Sequence, residues 1–441
     1  MAGNAQTVST LIVGGGLAGL SCARELRSDF TLVEAEDRLG GLCRTDVAQG
    51  FSFDWTGHWL HARDPEMRAL IQGWLKDNLL EVQRRGVIYS EGVWTRFPYQ
   101  FNTYGLPRET IAECLLGFVD ATVGEKGREL RERPLRDAAE FIQRHLGAGF
   151  ARRFMLPYNE KLFTIPCAEL SPEWGGRFIP RPTLEEVVRG GLGLNEETAG
   201  YNAQFWYPRQ GGIESLVRGL EGDVRALPGE VRLSSRVQRL SVRERKLWLE
   251  SGEELRYQQL VLTAPLSQLA HALTDAPPEV REAASRLRAV SVTVVELGCE
   301  DVGGERFHWA YFPERRHPFY RVGSPSEVNP ALAPRGCRSF AVEFSHRGPI
   351  DLAKAQAAAI SALAECKLLD PARIRVARTR TIPVAYVLFD HQHKASRDVV
   401  LGYLAAHGVQ VAGRYGRWEY SSMEDALLSG REAARKTLQG S

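Results

Sequence analysis

The chain has 441 residues, 44% hydrophobic, 25% charged and 9% aromatic, with a formal net charge of +2. That length suits two or three domains, and the near-balanced charge leaves no electrostatic footprint for nucleic acid. Seven scattered cysteines (22, 43, 114, 167, 299, 337, 366) include no C-x-x-C pair, which argues against a disulfide framework or a structural zinc site and for reduced thiols in a cytoplasmic protein.

The opening stretch "MAGNAQTVSTLIVGGGLAGL" lacks a basic n-region, and glycines cut its apolar run. It reads as a buried strand and a turn rather than a signal peptide. No run of about 18 apolar residues follows, so no membrane span is expected. Val8 to Val13 is a β-branched strand, and Gly14, Gly16 and Gly19 give G-x-G-x-x-G ahead of a helix. In such a unit the first glycine makes the tight turn, the second admits a pyrophosphate, and the third lets helix and strand pack closely. The helix N-terminus then faces the phosphates. "FTLVE" is the next strand, and its final Glu34 stands where a carboxylate accepts from a ribose. The segment "AEDRLGGLCRT" resembles the continuation in FAD enzymes of the amine-oxidase and glutathione-reductase class. Gly40 and Gly41 would pass close to the cofactor, and Arg44 would meet its phosphates.

"TGHWLH" places His58 and His61 three apart, beside Gly57 and Trp59. Cofactor wall, plain packing and metal ligation are all open at that spacing. Metal is disfavoured, because no third and fourth ligand accompany the pair. Residues 104–200 carry i, i+3, i+4 apolar spacing and predict helices. "VRLSSRVQRLSVRERKLWLESGEELRYQQLVLTAP" alternates as strands with a turn at "SGEE", then returns to the cofactor. From "SVTVVELG" to "RTIPVAYVLFD" the chain is strand-rich, with a helix at Leu352 to Lys367. The end is a strand (Val409 to Ala412), a turn at Gly413 and Arg414, and a helix from Met423; it resembles the unit with which FAD enzymes of that class close the cofactor site, which implies a helix N-terminus facing the flavin.

Several of these stretches together resemble UDP-galactopyranose mutases, over nearly the whole chain. They are "FDWTGHWLH", "RFPYQFNTYGLP", "FMLPYNEKLFTIPCAELSPEWGGRFIPRPTL", "YNAQFWYPRQGG", "WAYFPERRHPFYR" and "GRYGRWEY". The resemblance implies an α/β fold: a Rossmann-type FAD-binding domain with a helical insertion and an antiparallel-sheet substrate domain. The expected division is 1–85, 203–275 and 396–441 for FAD, 100–202 helical with a mobile loop near 175–200, and 86–99 with 276–395 for substrate.

The implied activity is pyranose–furanose interconversion of a UDP-hexose, UDP-galactose first, by N5 of reduced FAD acting on the anomeric carbon. His58 would lie against the flavin, with His61 behind it. Arg177, Arg181, Arg321 and Arg414 match arginines around the diphosphate and sugar, as bidentate cations suit phosphates. Tyr386 and Tyr420 match phosphate-binding tyrosines, and Tyr158, Phe163 and Asn202 line the uridine and sugar region. An external reductant such as NAD(P)H and a homodimer are compatible with this reading. Departures are Thr56 in place of a glycine, Phe163 where bacterial members often carry Trp, and "IPVAYVLFD" without the usual Y-P pair. The rival reading is an FAD oxidase or dehydrogenase resembling protoporphyrinogen or amine oxidases. An amine or apolar substrate would have no use for a diphosphate clamp.

Overall fold

The structure is a computed structural model that describes residues 6–27, 29–195 and 204–439. β1 (Gln6–Val13) exposes Thr7 and Ser9 but buries Leu11 to Val13 on both faces, as a strand entering the middle of a parallel sheet must. α1 (Leu17–Leu26) buries nearly every residue, and β2 (Phe30–Val33) is buried throughout. β1 runs parallel to β2, with Val13 beside Val33, and to Glu254–Leu262, with Val13 beside Leu262. The sheet runs in the order Val237–Ser241, Lys246–Leu249, Glu254–Leu262, β1, β2, Glu230–Arg232, and Gln410–Val411 joins Glu254–Leu262 at its carboxyl end. Apolar layers cover both faces; α1, Glu214–Arg225 and Met423–Gln439 supply one of them. The expected return at "TAP" is seen in Thr263, whose N–H donates to the Val13 carbonyl at 2.9 Å and whose hydroxyl donates to that of Gly14 at 3.0 Å. This return brings a third segment to the carboxyl ends of the strands, where open α/β sheets bind ligands.

A second sheet runs in the order Ile374–Val387, Ala289–Glu300, Cys337–His346, Arg321–Gly323, Trp309–Tyr311, Gly86–Ser90, Val93–Arg96. It is antiparallel except where Trp309–Tyr311 meets Gly86–Ser90 in parallel. The exception arises because those strands are far apart in sequence, and no hairpin fixes their direction. Against this sheet packs a set of helices that includes Arg108–Val123, Ala138–Phe150 and Leu156–Phe163, sharing a core with Ile88, Val290 and Tyr311. Thr110, Cys114, Phe118 and Ala121 form the buried stripe of Arg108–Val123, the spacing of an amphipathic helix. Asp137 caps Ala138–Phe150 by accepting from the Glu140 N–H at 2.8 Å. A single π turn, Ala151–Met155, leads into Leu156–Phe163. Pro157 follows it and has no N–H to give an α-helical bond. The helix expected at 352–367 ends at Glu365, because Lys367 adopts φ +57°. Among the described residues no helix is long and apolar enough to cross a membrane.

Candidate active site

A cavity of about 1100 Å³ runs from the carboxyl ends of β1 and β2, between the sheets, to the helical segment. At its inner end Gly14 takes φ +104°, and a Cβ on Gly19 would sit 1.9 Å from the Gly14 carbonyl oxygen. Only glycine permits that turn and that approach. Gly16 is the N-cap of α1 with no side-chain cap bond, so the free N–H groups of the first turn are open to an anion. Glu34 accepts from the Gly15 N–H at 2.6 Å and the Glu36 N–H at 3.0 Å. Its carboxylate therefore ties the turn to the end of β2 and keeps lone pairs for a ribose. Gly40 and Gly41 both have positive φ, and Gly40 N–H donates to the Gly15 carbonyl at 2.8 Å, which binds this segment to the turn. Arg44 is 2% exposed, its guanidinium lies 4.9 Å from the Trp55 ring, and its Nε is buried without a partner. A side-chain-free turn, an uncapped helix and an orphaned guanidinium N–H fit a dinucleotide's phosphates.

The segment from Thr56 to His61 crosses the middle of the cavity. Thr56 sits at φ +144°, where a β-branched residue is strained; a glycine at this position would not be. Gly57 is forced by contact: a Cβ there would come within 2.7 Å of Trp309 Nε1. His58 Nδ1 lies 3.2 Å from the Thr56 carbonyl oxygen. Burial pushes the His58 pKa down to about 4; Arg414 and Arg321 push the same way, against the hydrogen bond to Thr56. A neutral ring whose Nδ1–H donates to Thr56 leaves Nε2 as an acceptor. His61 is likewise held down to about 4, by burial and by Arg84 and Arg63, and packs edge-on to Phe205. Among the described residues no three His, Cys, Asp or Glu side chains gather as a metal site. Gly413, at φ +77°, and Met423, the first residue of the last helix, also line the cavity.

The far wall is made of side chains from distant segments. Arg321 lies 4.3 Å from the Trp309 ring centroid. It donates through Nε to Glu343 Oε2 at 3.0 Å and through Nη2 to Oε1 at 3.0 Å and to the Tyr386 hydroxyl at 3.3 Å. Glu343 is wholly buried and also accepts from the Tyr320 hydroxyl. Arg414 is placed differently. Its guanidinium faces the rings of Tyr420 at 4.5 Å, Tyr386 at 5.4 Å and Tyr415 at 5.8 Å. Its Nε and Nη2 are buried without hydrogen-bond partners. Tyr158 stacks on Phe154 at 5.2 Å and meets Tyr311 edge-on at 5.5 Å, and Phe163 meets Trp174 edge-on at 5.2 Å.

The structure thus gathers Tyr158, Phe163, Arg321, Tyr386, Arg414 and Tyr420 on one cavity with the glycine turn. It does not gather Arg181, which is exposed near His145, whose pKa is lowered chiefly by burial and secondarily by that arginine. Trp174, Ile179 and Pro180 line the cavity from that segment instead. The Arg177 backbone lies in Glu173–Phe178, its side chain is outside the described set, and Asn202 is outside the described residues. Sequence reading passes over Glu343, Arg84 and the Trp59–Trp309 stack, whose centroids are 3.5 Å apart. A glutamate inside the apolar strand "CRSFAVEFSH" was the available signal for Glu343, since a buried carboxylate needs a partner.

A glycine turn, an uncapped helix and a cavity at the sheet's carboxyl edge define a dinucleotide-binding α/β protein. The chain belongs to the flavin containing amine oxidoreductase family, whose model matches residues 17–309, and FAD is its cofactor. Curated relatives match in part only. Polyamine oxidase 4 of Oryza sativa subsp. japonica is 27% identical over 147 residues, 31% of this chain and 30% of that protein. Coproporphyrinogen III oxidase of Mycobacterium tuberculosis (strain ATCC 25618 / H37Rv) is 35% identical over 120 residues, 25% of this chain and 26% of that protein. The matched segments therefore span less than a third of either relative. The fold as a whole is similar to the crystal structure of reduced UDP-galactopyranose mutase, with TM-score 0.90 at 23% identity over 98% of this chain and 94% of that one. It is also similar to a redesigned putrescine oxidase, with TM-score 0.64 at 15% identity over 99% of this chain and 100% of that one.

Proposed function

We propose that the protein is a flavin-dependent sugar-nucleotide mutase that interconverts the pyranose and furanose forms of a UDP-hexose, with UDP-galactose the first candidate. The observation that carries this reading is Arg414: a guanidinium in a tyrosine cage, with two buried nitrogens, Nε and Nη2, lacking any hydrogen-bond partner. A cation so placed has a use when an anion arrives. Arg321 is a second guanidinium on the same cavity, with the Tyr386 hydroxyl between it and the Arg414 cage. The likeness of the fold to a UDP-galactopyranose mutase is in keeping with the reading.

Bound and reduced, the flavin supplies a nucleophilic N5 for the anomeric carbon. The residues do the rest. Arg321 and Arg414 hold the diphosphate while it leaves and returns, and Tyr386 and Tyr420 donate to its oxygens. His58, neutral above pH about 4, offers Nε2 as an acceptor at the cavity wall without adding charge. Tyr158, Phe163 and the Trp59–Trp309 stack exclude water and shape the sugar and base region. Arg177 and Arg181 approach only if their segment closes over substrate, a gating step.

A second reading, an FAD oxidase, is favoured by one observation: Glu343 already neutralises Arg321. One assay separates the two. UDP-galactofuranose is incubated with oxidised and with dithionite-reduced holoenzyme, and the pyranose is measured. Conversion by the reduced form alone is the expected result. Absence of conversion together with absence of UDP binding would transfer the assignment to the oxidase.

A further inference from the structure

The sequence feature that the mutase reading leaves unused is the loop "FPERRHPF" and the lysine that enters it. The loop, 312–319, joins Trp309–Tyr311 to Arg321–Gly323 as a hairpin. Its base is the pair Tyr311 and Arg321, which face each other in register and both line the cavity. None of the loop residues lines the cavity, and the interior of the loop is filled by Lys161 from Leu156–Phe163. The Lys161 ammonium donates to the Phe312 carbonyl, to those of Glu314 and His317 at 2.8 Å each, and to that of Phe319 at 2.9 Å.

Four carbonyl oxygens around one ammonium form a cation cage, the same chemistry by which rings of backbone carbonyls replace an ion's hydration shell. Three N–H groups serve four acceptors, so at least one N–H is shared. A neutral amine would turn a lone pair on one of those oxygens. Burial pulls the Lys161 pKa down to about 7 against the Glu314 charge, and the carbonyl cage favours the protonated form. One turn back on the same helix, Tyr158 faces Tyr311 edge-on at 5.5 Å and Tyr320 at 6.3 Å. A second tether between this helix and the loop is the ion pair of Arg315 with Glu160 at 3.2 Å, whose arginine side chain is 83% exposed. An exposed pair of that kind holds little. The lysine is therefore the half-buried pin between two parts of the cavity wall.

We propose that Lys161 is a positioning residue: by filling the 312–319 hairpin it fixes Arg321 and Tyr311 against Tyr158, and so sets the spacing of the substrate wall. Its effect on substrate rests on the mutase reading; its effect on the hairpin does not. The test uses full-length holoenzyme carrying Lys161→Ala, with Lys161→Met as the second variant, since methionine fills the stem and lacks the donors. Amide hydrogen exchange over 312–321 is measured first, because it reads local opening without any ligand. Leaving four buried acceptors without their donor should speed exchange there at least about tenfold with the flavin spectrum retained, and weaken UDP binding at least about tenfold.

Ammonium or potassium salts should restore both in Lys161→Ala, where the cage is vacated, and not in Lys161→Met, where it is filled. Tetramethylammonium, too large for the cage, should restore neither. Wild-type exchange in both variants would overturn the proposal. So would faster exchange with unchanged UDP affinity, or equal recovery with tetramethylammonium. Failure of the wild type to bind UDP would sink the mutase reading, and the exchange and cation-rescue results would still decide the role of Lys161 in holding the hairpin.

Discussion

The glycine cradle and the arginine wall share one cavity but are built from different materials. The cradle is backbone: a strand, a turn, a helix and a strand follow one another in sequence from Gln6 to Glu34, closed by hydrogen bonds from Gly15 and Gly40. The wall is side chain: Tyr158, Arg321, Glu343, Tyr386 and Arg414 come from five separate elements. A backbone site depends on where no side chain is allowed. A side-chain site depends on how charges are paired, and here the two arginines differ. Arg321 is held by Glu343 in a bidentate pair, whereas Arg414 keeps two nitrogens, Nε and Nη2, unmet. Arg321 would meet a ligand with its charge already balanced by Glu343, and Arg414 with charge in reserve.

The cradle is the easiest part to break. Gly19→Val would drive a side chain into the Gly14 carbonyl, since even a Cβ lies 1.9 Å away. The protein should purify with no flavin, or fail to fold. The ratio of flavin to protein absorbance measures it, and a full complement of flavin would refute the geometry of the turn.

The wall should break by charge rather than by contact. Arg321→Ala strands a buried carboxylate, which typically costs about 3–5 kcal/mol of stability. The double variant Arg321→Met with Glu343→Gln removes both charges and should recover most of that loss. Denaturant unfolding of the three holoenzymes tests this; equal loss in the single and the double variants would show that packing, not charge pairing, holds the strand.

A smaller effect is expected from the histidines. His58, His61, His308 and His317 are each held down to about 4 by burial. Their folded-state pKa lies below the unfolded value, so the unfolded chain takes up protons first as pH falls. Stability should be intact above about pH 6.5 and decline toward pH 4, by up to about 1.4 kcal/mol per pH unit for each proton taken up on unfolding. Asp54 works the other way: burial raises its pKa to about 6, so over about pH 4–6 it favours the folded state at the acid side. Four histidines against one carboxyl give a net loss in acid. An unfolding free energy flat from pH 6.5 to 4.5 would contradict the burial of these rings.

These contrasts also explain what the sequence made visible. The turn glycines, Glu34 and the alternating strands are local, and local chemistry dictates them. The first helix was legible for the same reason. The wall was reachable only through resemblance, because nothing in the spacing of residues 158, 321, 386 and 414 says that they meet. Glu343 and Lys161 escaped notice since their meaning lies in partners 22 and 151 to 158 residues away. Arg181 looked like a clamp by its motif, yet that residue is exposed here while its neighbours Ile179 and Pro180 line the cavity. The parallel pairing within the second sheet was hidden because it joins strands that no turn connects.

The central claim is that Arg414 is a cation awaiting a diphosphate. The most direct measurement is a calorimetric titration of UDP into reduced holoenzyme, wild type against Arg414→Met. Loss of one charge-assisted hydrogen-bonding group predicts binding weaker by about ten- to a hundredfold with flavin content unchanged. Equal UDP affinity in the two proteins, or no UDP binding by the wild type, would contradict the account.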